Sequence, residues 1–453
     1  MASNQDSLLH FPTDIIDVIM ELSSKSSLIS LCLVCKALKE AATRVLYHTL
    51  LLKKPSKLVQ CLRTLLQNPL AAASCRIFCI KYPIEIVPRK ATHLGAFFGL
   101  LAKVLPRIFN LRNISITISH QHEAGLPLTK RVDFILQNCT YPHLKQAFMK
   151  MPITPAVIQF LERHQKTVEL VVLLPYGDQF AMTFDRAYYF PRLEHFYANA
   201  TSALSFFKSL PFDALPGLRQ LTIYWMPLEI VDLRVLMTVM KKKCRDQEVK
   251  LAFFRIGRND DNDLIEEVSL QFPHVNELSV CSYGNEDWQE TCQAVAQSLS
   301  RCTTLSSFWW TVKLSETDAP RRMLDLEEEL SIIISFGAAC PSLHHCRVPY
   351  GISWINTRNI KNLWVPCENA RDELSAYPFL FYLIHRRKYP PLAELLNYIE
   401  VQGDGEVERR ERGEEGSNYK SDGSWSRIWA VELLRAQGSS SGAPPPEGNS
   451  NHA

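Results

Sequence analysis

The feature that most constrains this chain is a short apolar phrase that keeps returning. Between Ala71 and Pro366 the spacing φ-x-x-φ-x-φ, with φ an apolar residue, recurs at Leu111-x-x-Ile114-x-Ile116, Leu218-x-x-Leu221-x-Ile223 and Val275-x-x-Leu278-x-Val280. It returns at Leu305-x-x-Phe308-x-Trp310 and Ile360-x-x-Leu363-x-Val365, with weaker copies opening at Leu144, Val168, Leu193 and Leu343. A turn phrase announces several of them: YPHL at 141, FPRL at 190, LPGL at 215, FPHV at 272 and CPSL at 340. The alternation inside each phrase suits a short strand, while the residues ahead have helical spacing, as where Thr154-Pro155 opens a helix through Ile158 and Leu161. Such a unit cannot bury its own apolar face and must stack on its neighbours. The expected fold class is α/β, with parallel strands inside and helices outside.

Anchors at 144, 168, 193 and 218 stand 24 to 25 residues apart, inside the period of leucine-rich repeats. Residues 71–366 are therefore read as an irregular leucine-rich-repeat-like solenoid, whose open face suits binding a protein. The spacing stretches elsewhere, so an α/β domain without true repetition is the alternative. Glycine-poor strand-to-helix turns argue against a nucleotide-binding version of that alternative. Trp225, Trp309, Trp310 and Trp354 are candidate substrate-binding anchors, because tryptophan is enriched at binding hot spots. The competing assignment for all four is repeat core.

Ahead of the array, residues 8–52 read as three short helices. Phe11, Ile15, Ile19 and Leu22 recur at helical spacing, Pro12 suits a first helical position, and Asp14 complements the helix dipole. The run SSKSS breaks this helix; a second is expected after Ser26 or Ser27 with Leu28, Leu31, Val34, Cys35 and Leu38, and a third to about Tyr47. So small a unit usually leaves apolar residues over for a partner. Residues 1–7 are expected to be disordered, 53–70 to form a linking helix and 367–400 a helical cap. Eight of the 17 glycines fall between Gly403 and Gly448. Residues 401–453 thus read as a disordered tail, with a possible docking helix over Trp425 to Leu434.

Lys plus Arg is 50 against Asp plus Glu 47, a net charge of +3, which offers no strong attraction for nucleic acid or an anionic membrane. No apolar run reaches the roughly 20 residues that span a bilayer, and no Lys or Arg precedes Lys25 as a secretory signal would require. The expected location is cytoplasmic or nuclear, and the 13 cysteines are expected to be free thiols. No serine-hydrolase elbow, phosphate-binding loop or zinc-protease motif is present. Cys32-x-x-Cys35, His120-x-His122 and His344-His345-Cys346 each lack the further ligands a zinc site needs. No cofactor or metal is expected. The cluster Asp325, Glu327, Glu328 and Glu329 reads as a solvated helix face, and Lys241-Lys242-Lys243 as the cationic end of a helix.

Residues Leu8 to Leu50 resemble the F-box family. The resemblance rests on Phe11-Pro12, Asp14, Ile15-Ile16, Val34-Cys35-Lys36 and the closing Leu46-Tyr47. It departs from the family in two places: Phe11 replaces the usual Leu, and Leu38 stands where a bulky aromatic is common. F-boxes followed by irregular leucine-rich repeats form a known subgroup, and the architecture resembles theirs. The resemblance implies a non-catalytic substrate receptor that docks on the Skp adaptor, and through it a cullin, of a ubiquitin ligase. By position the adaptor contacts would be Phe11, Pro12, Ile15, Ile16, Ile19, Leu31, Val34, Cys35 and Leu38, some of them doubling as internal core. Two other readings stay open: a repeat scaffold whose first helices merely cap the array, and an enzyme on an α/β scaffold.

Overall fold

Each proline phrase folds as the same β-turn. The N–H groups of Leu144, Leu193, Leu218, Val275 and Leu343 donate to the carbonyls of Tyr141, Phe190, Leu215, Phe272 and Cys340, three residues back, at 3.0–3.3 Å. Proline stands second in every one, where its fixed φ is already correct. The residue leaving each turn is buried and begins the apolar phrase of the strand that follows.

The computed structural model describes residues 12–52, 55–82, 91–118, 132–151, 153–174, 188–212, 214–225, 229, 231–244, 249–255, 261–283, 288–313, 326–349, 351, 353–356 and 364–366. Phe11, residues 1–7, the helix expected over 367–400, the tail, and Ile360 and Leu363 of the last phrase lie outside them. The elements run α1 (Thr13–Leu22), α2 (Lys25–Leu31), α3 (Lys36–His48), β1 (Thr49–Leu52), α4 (Pro55–Gln67), α5 (Pro69–Ser74), β2 (Ile77–Tyr82), α6 (Ala91–Val104) and β3 (Asn113–Ile118). There follow α7 (132–137), β4 (Gln146–Lys150), α8 (Pro155–His164), β5 (Leu170–Leu173), β6 (His195–Asn199), α9 (Ala200–Ser209), β7 (Gln220–Trp225), α10 (Leu233–Lys243), β8 (Lys250–Arg255), α11 (Asp261–Gln271) and β9 (Glu277–Tyr283). Last come α12 (Trp288–Leu299), β10 (Ser307–Lys313), α13 (Leu326–Ala339), β11 (His345–Arg347), β12 (Ser353–Asn356) and β13 (Trp364–Pro366). Two compact units result: the first carries α1 to β9, the second α12, residues 307–311 of β10, α13 and β11 to β13.

In the first unit each strand from β1 to β8 pairs in parallel with the next, through β9. Register puts the apolar phrases into rows. One runs from Leu50 through Phe78, Ile114, Val171, Phe196 and Leu221 to Leu278, and all of these are buried. Alternation sends the residues between them to the opposite face. Helices cover the first face: Phe196 stacks on Phe206 of α9 at 4.4 Å and meets Phe207 edge-on at 5.8 Å. Side-chain caps start several of these helices, Asn68 on α5, Thr154 on α8, Asn199 on α9 and Asp232 on α10, each satisfying an N–H the helix leaves unpaired.

The expected 53–70 linking helix is instead two, broken where Asn68 caps Pro69. Its first part, α4, buries Leu58, Leu62 and Leu65 and packs on α6, so it covers the sheet as the later helices do.

In the second unit β10 and β11 pair in parallel, but β12 and β13 run antiparallel. This corrects the expectation that the phrase ending in Val365 adds another parallel strand: Val365 pairs Ile355 in the antiparallel sense. Only residues 348–352 join β11 to β12, too few for the helical crossover that parallel neighbours need. Glycine is required twice here. A Cβ on Gly337 of α13 would meet the Trp364 ring at 2.8 Å, and one on Gly351 would run into the Glu329 carboxylate.

One buried imidazole makes the first unit sensitive to acid. The Tyr141 N–H donates to His164 Nε2 at 2.8 Å, which leaves the proton on Nδ1, 2.6 Å from the Phe160 carbonyl. Burial lowers the pKa of His164 from 6.5 to about 4. The unfolded chain therefore takes up this proton first as pH falls, so the stability held above pH 6.5 is lost on the way down to pH 4, by on the order of 3 kcal/mol. Urea unfolding at neutral pH and near pH 4.5 measures the loss, and a His164→Gln variant is expected to show a smaller pH response than the wild type.

Candidate interaction surfaces

The three N-terminal helices build a small core and leave an apolar stripe uncovered. Met20, Leu28, Leu38, Ala41 and Ala42 are buried together, with Ile16, Leu31, Cys32, Val45 and Leu46 packed against them. Arg44 of α3 reaches Asp17 of α1 at 2.7 Å, a half-exposed pair of small energetic weight. The rest of α1 is also apolar: Ile15, Val18, Ile19 and Leu22 follow at intervals of three and four along its outer side, 47, 53, 50 and 84 % exposed. The turn between α2 and α3 adds Leu33 and Val34 at 85 and 65 %, and Ile29 on α2 is 59 % exposed. A helix that is apolar on both sides ordinarily lies between two partners.

This arrangement divides the expected adaptor-binding set. Pro12, Ile15, Ile19, Val34 and Cys35 face solvent, whereas Ile16 and Leu31 pack against the core and Leu38 is part of it. Phe11 lies outside the described residues. The helix boundaries also shift. Pro12 is the residue before α1 and Ser24, through its contact with the Ser27 N–H at 3.2 Å, caps α2 in place of Ser26 or Ser27. Val34 and Cys35 sit in the turn after α2, and Leu38 belongs to α3. No glycine or proline marks that break; the packing of Leu28 and Leu38 into one core enforces it. Val18, Ile29 and Leu33 are not among the expected residues, and Leu22 is read in one helical series with Ile15 and Ile19 but not as an adaptor contact.

The second surface is the open face of the first unit's sheet. Ser115, Phe148, Val172, Tyr197, Thr222 and Ala252 share a row there, one register position from the buried phrases, with Val172 and Thr222 themselves buried. In the next row Tyr224 stacks on Phe254 with ring centroids 4.9 Å apart. Phe148, Tyr197, Tyr224 and Phe254 are partly exposed.

Three of the four expected tryptophan anchors are enclosed, which corrects their assignment to substrate binding. Trp225 lies in a core row with the Arg255 guanidinium 5.6 Å above its ring, Trp310 packs by Phe308, and Trp354 donates its Nε1–H to Glu329 at 2.7 Å. Glu329 is 1 % exposed, which likewise corrects the solvated face expected of it. Trp309, next to Trp310 in β10, necessarily points the other way and is partly exposed.

Among the described residues no group of histidine, cysteine, aspartate and glutamate side chains is placed to hold a metal, and no helix is long and apolar enough to cross a membrane. His120 and His122 lie outside them. Burial pushes the thiol of Cys61 up to about 11 and those of Cys75, Cys244 and Cys292 to about 12, which makes them poor nucleophiles. No family model and no curated protein matches this chain.

Proposed function

We propose that the chain is the substrate-recognition subunit of a Skp–cullin–F-box ubiquitin ligase, with α1 to α3 as the F-box and the following α/β array as an irregular leucine-rich-repeat solenoid. The observation that carries this is the uncovered stripe of Ile15, Val18, Ile19 and Leu22 together with Leu33 and Val34 in the following turn. It includes Ile15, Ile19 and Val34 of the positions the F-box resemblance marks for the adaptor. In this role the protein makes and breaks no bonds. It holds a substrate close to a charged ubiquitin-conjugating enzyme, so lysine attack becomes effectively intramolecular and its rate follows geometry. The substrate would lie on the open face of the first unit, where Phe148, Tyr197, Tyr224 and Phe254 offer aromatic contact area.

Co-purification with the Skp adaptor tests the reading. Ile15→Asp combined with Val34→Asp places charges on two exposed apolar positions and is expected to weaken adaptor binding at least about 30-fold, the scale of an interface hot spot, with the urea midpoint unchanged. Ile16→Asp, by contrast, is expected to unfold the three helices. A second reading is a non-ligase repeat scaffold in which these helices cap the first strand; it is supported by the packing of α3 on α5. A folded wild type that retains no adaptor selects the scaffold.

A further inference from the structure

Just before each of the strands β2 to β7 stands one residue whose backbone is tied to the same position before the next. The N–H of Arg112 donates to the Arg76 carbonyl at 2.8 Å, that of Lys145 to Arg112 at 2.7 Å and that of Glu169 to Lys145 at 2.7 Å, and Glu194 and Arg219 continue the series at 2.8 Å each. Their side chains therefore form a ladder along the sheet edge, with rungs about 4.8 Å apart.

Charge is segregated along this ladder. Arg76, Arg112 and Lys145 occupy three successive rungs, and the turn residues His143 and Arg192 join them around a groove of about 480 Å³ in which Glu169 is the only carboxylate. The adjoining groove, about 530 Å³, is balanced, with Glu169 and Glu194 facing Arg192 and Arg219. Arg76 is held in place by its Nη1 bond to the Ala73 carbonyl at 2.7 Å. Arg112, His143, Lys145 and Arg192 are exposed. On a chain whose net charge is only +3, so local an excess of cations marks an anion-binding surface.

We propose that this groove binds an extended protein segment bearing clustered carboxylates. A chain lying across the Arg76, Arg112 and Lys145 rungs meets a cation at each, the Lys145 ammonium being shared with Glu169 at 2.8 Å, and arginine pairs carboxylates through parallel hydrogen bonds. A polynucleotide fits less well: no phenylalanine, tyrosine or tryptophan lines either groove to stack a base, and Glu169 and Glu194 would oppose a continuing run of phosphates. The site lies at the strand edge, apart from the open face and the N-terminal stripe, and its role holds whether or not α1 to α3 dock on an adaptor.

Fluorescence anisotropy of a labelled, glycine-flanked hexaglutamate peptide with the full chain tests the proposal. The peptide is expected to bind at low salt and to be released at high salt, while a hexaserine counterpart stays free. Arg112→Ala with Lys145→Ala should weaken binding at least about tenfold. Glu169→Gln removes the opposing carboxylate and should tighten it several-fold, a gain that a misfolded variant cannot mimic. All three positions are at the surface, so an unchanged urea midpoint verifies the fold. The proposal is overturned if the folded wild type does not bind hexaglutamate, if neither variant changes the affinity, or if a uridine dodecamer binds the same residues more tightly.

Discussion

Asp261→Ala is expected to destabilise the first unit by about 3–5 kcal/mol, the usual penalty for removing one member of a buried ion pair. Arg255 and Asp261 are 0 and 1 % exposed, and their charged atoms approach to 3.9 Å. Arg255 occupies a core row, paired across the sheet with Trp225, and stacks its guanidinium on that ring. Desolvating a guanidinium is tolerable there only while a carboxylate is near, and Asp261 supplies it from the first turn of α11, where the helix dipole also favours its charge. Removing the carboxylate leaves the cation buried. The double variant Arg255→Met, Asp261→Asn removes both charges while keeping similar volume, and should recover most of the loss. Equilibrium unfolding of wild type, both singles and the double closes the cycle; singles that each lose less than about 1 kcal/mol, or a double no better than their sum, would show the pair to be energetically idle.

Phe196→Ala should cost a comparable 3–5 kcal/mol, because it opens a ring-sized cavity where Phe206 and Phe207 close over β6. The neighbouring Tyr197→Ala should change stability by no more than about 1 kcal/mol, since that side chain stands on the open face. The contrast between adjacent residues tests the assignment of faces on which the proposed substrate-binding surface depends. Hydrogen exchange locates the damage. Each strand pairs only with its chain neighbours, so lost protection in the Phe196 variant should concentrate in β5, β6, β7 and α9. Equal losses in the two variants would mean the faces are wrongly assigned.

Where reading the chain residue by residue succeeded, a local rule was strong. The five proline phrases became five identical turns, and Leu111, Leu218, Val275 and Leu305 each opened a buried phrase. Two of the strands that escaped the same search, β2 and β8, did so for identifiable reasons. Cys75-x-x-Phe78-x-Ile80 has the right spacing but begins with a cysteine, which buries as well as a leucine does here. In β8, Val249 stands one residue nearer Leu251 than the phrase requires, yet both are buried and Leu251 pairs with Leu221. The core tolerates a one-residue deletion in the entry turn because only the strand must stay in register.

The candidate surfaces were legible in composition but not in direction. Ile15 and Ile16 are chemically alike and adjacent, and only the packing of α1 on Leu28 and Leu38 decides that Ile16 turns inward while Ile15 is left exposed. Trp309 and Trp310 divide in the same way once β10 takes its place, because alternation separates neighbours but does not say which one faces the helices. The basic groove was invisible for a different reason. Arg76, Arg112 and Lys145 lie more than 30 residues apart in the chain and become neighbours only when parallel pairing stacks one pre-strand position on the next. The sequence alone thus determined the recurrence of strand and helix, the turns between them and the apolar surplus at the N-terminus, since each follows from local stereochemistry and from the need to bury a periodic face. Which face of each element meets solvent, and which distant charges share one edge, only the tertiary structure decided, because register and packing are set by partners far away in the chain.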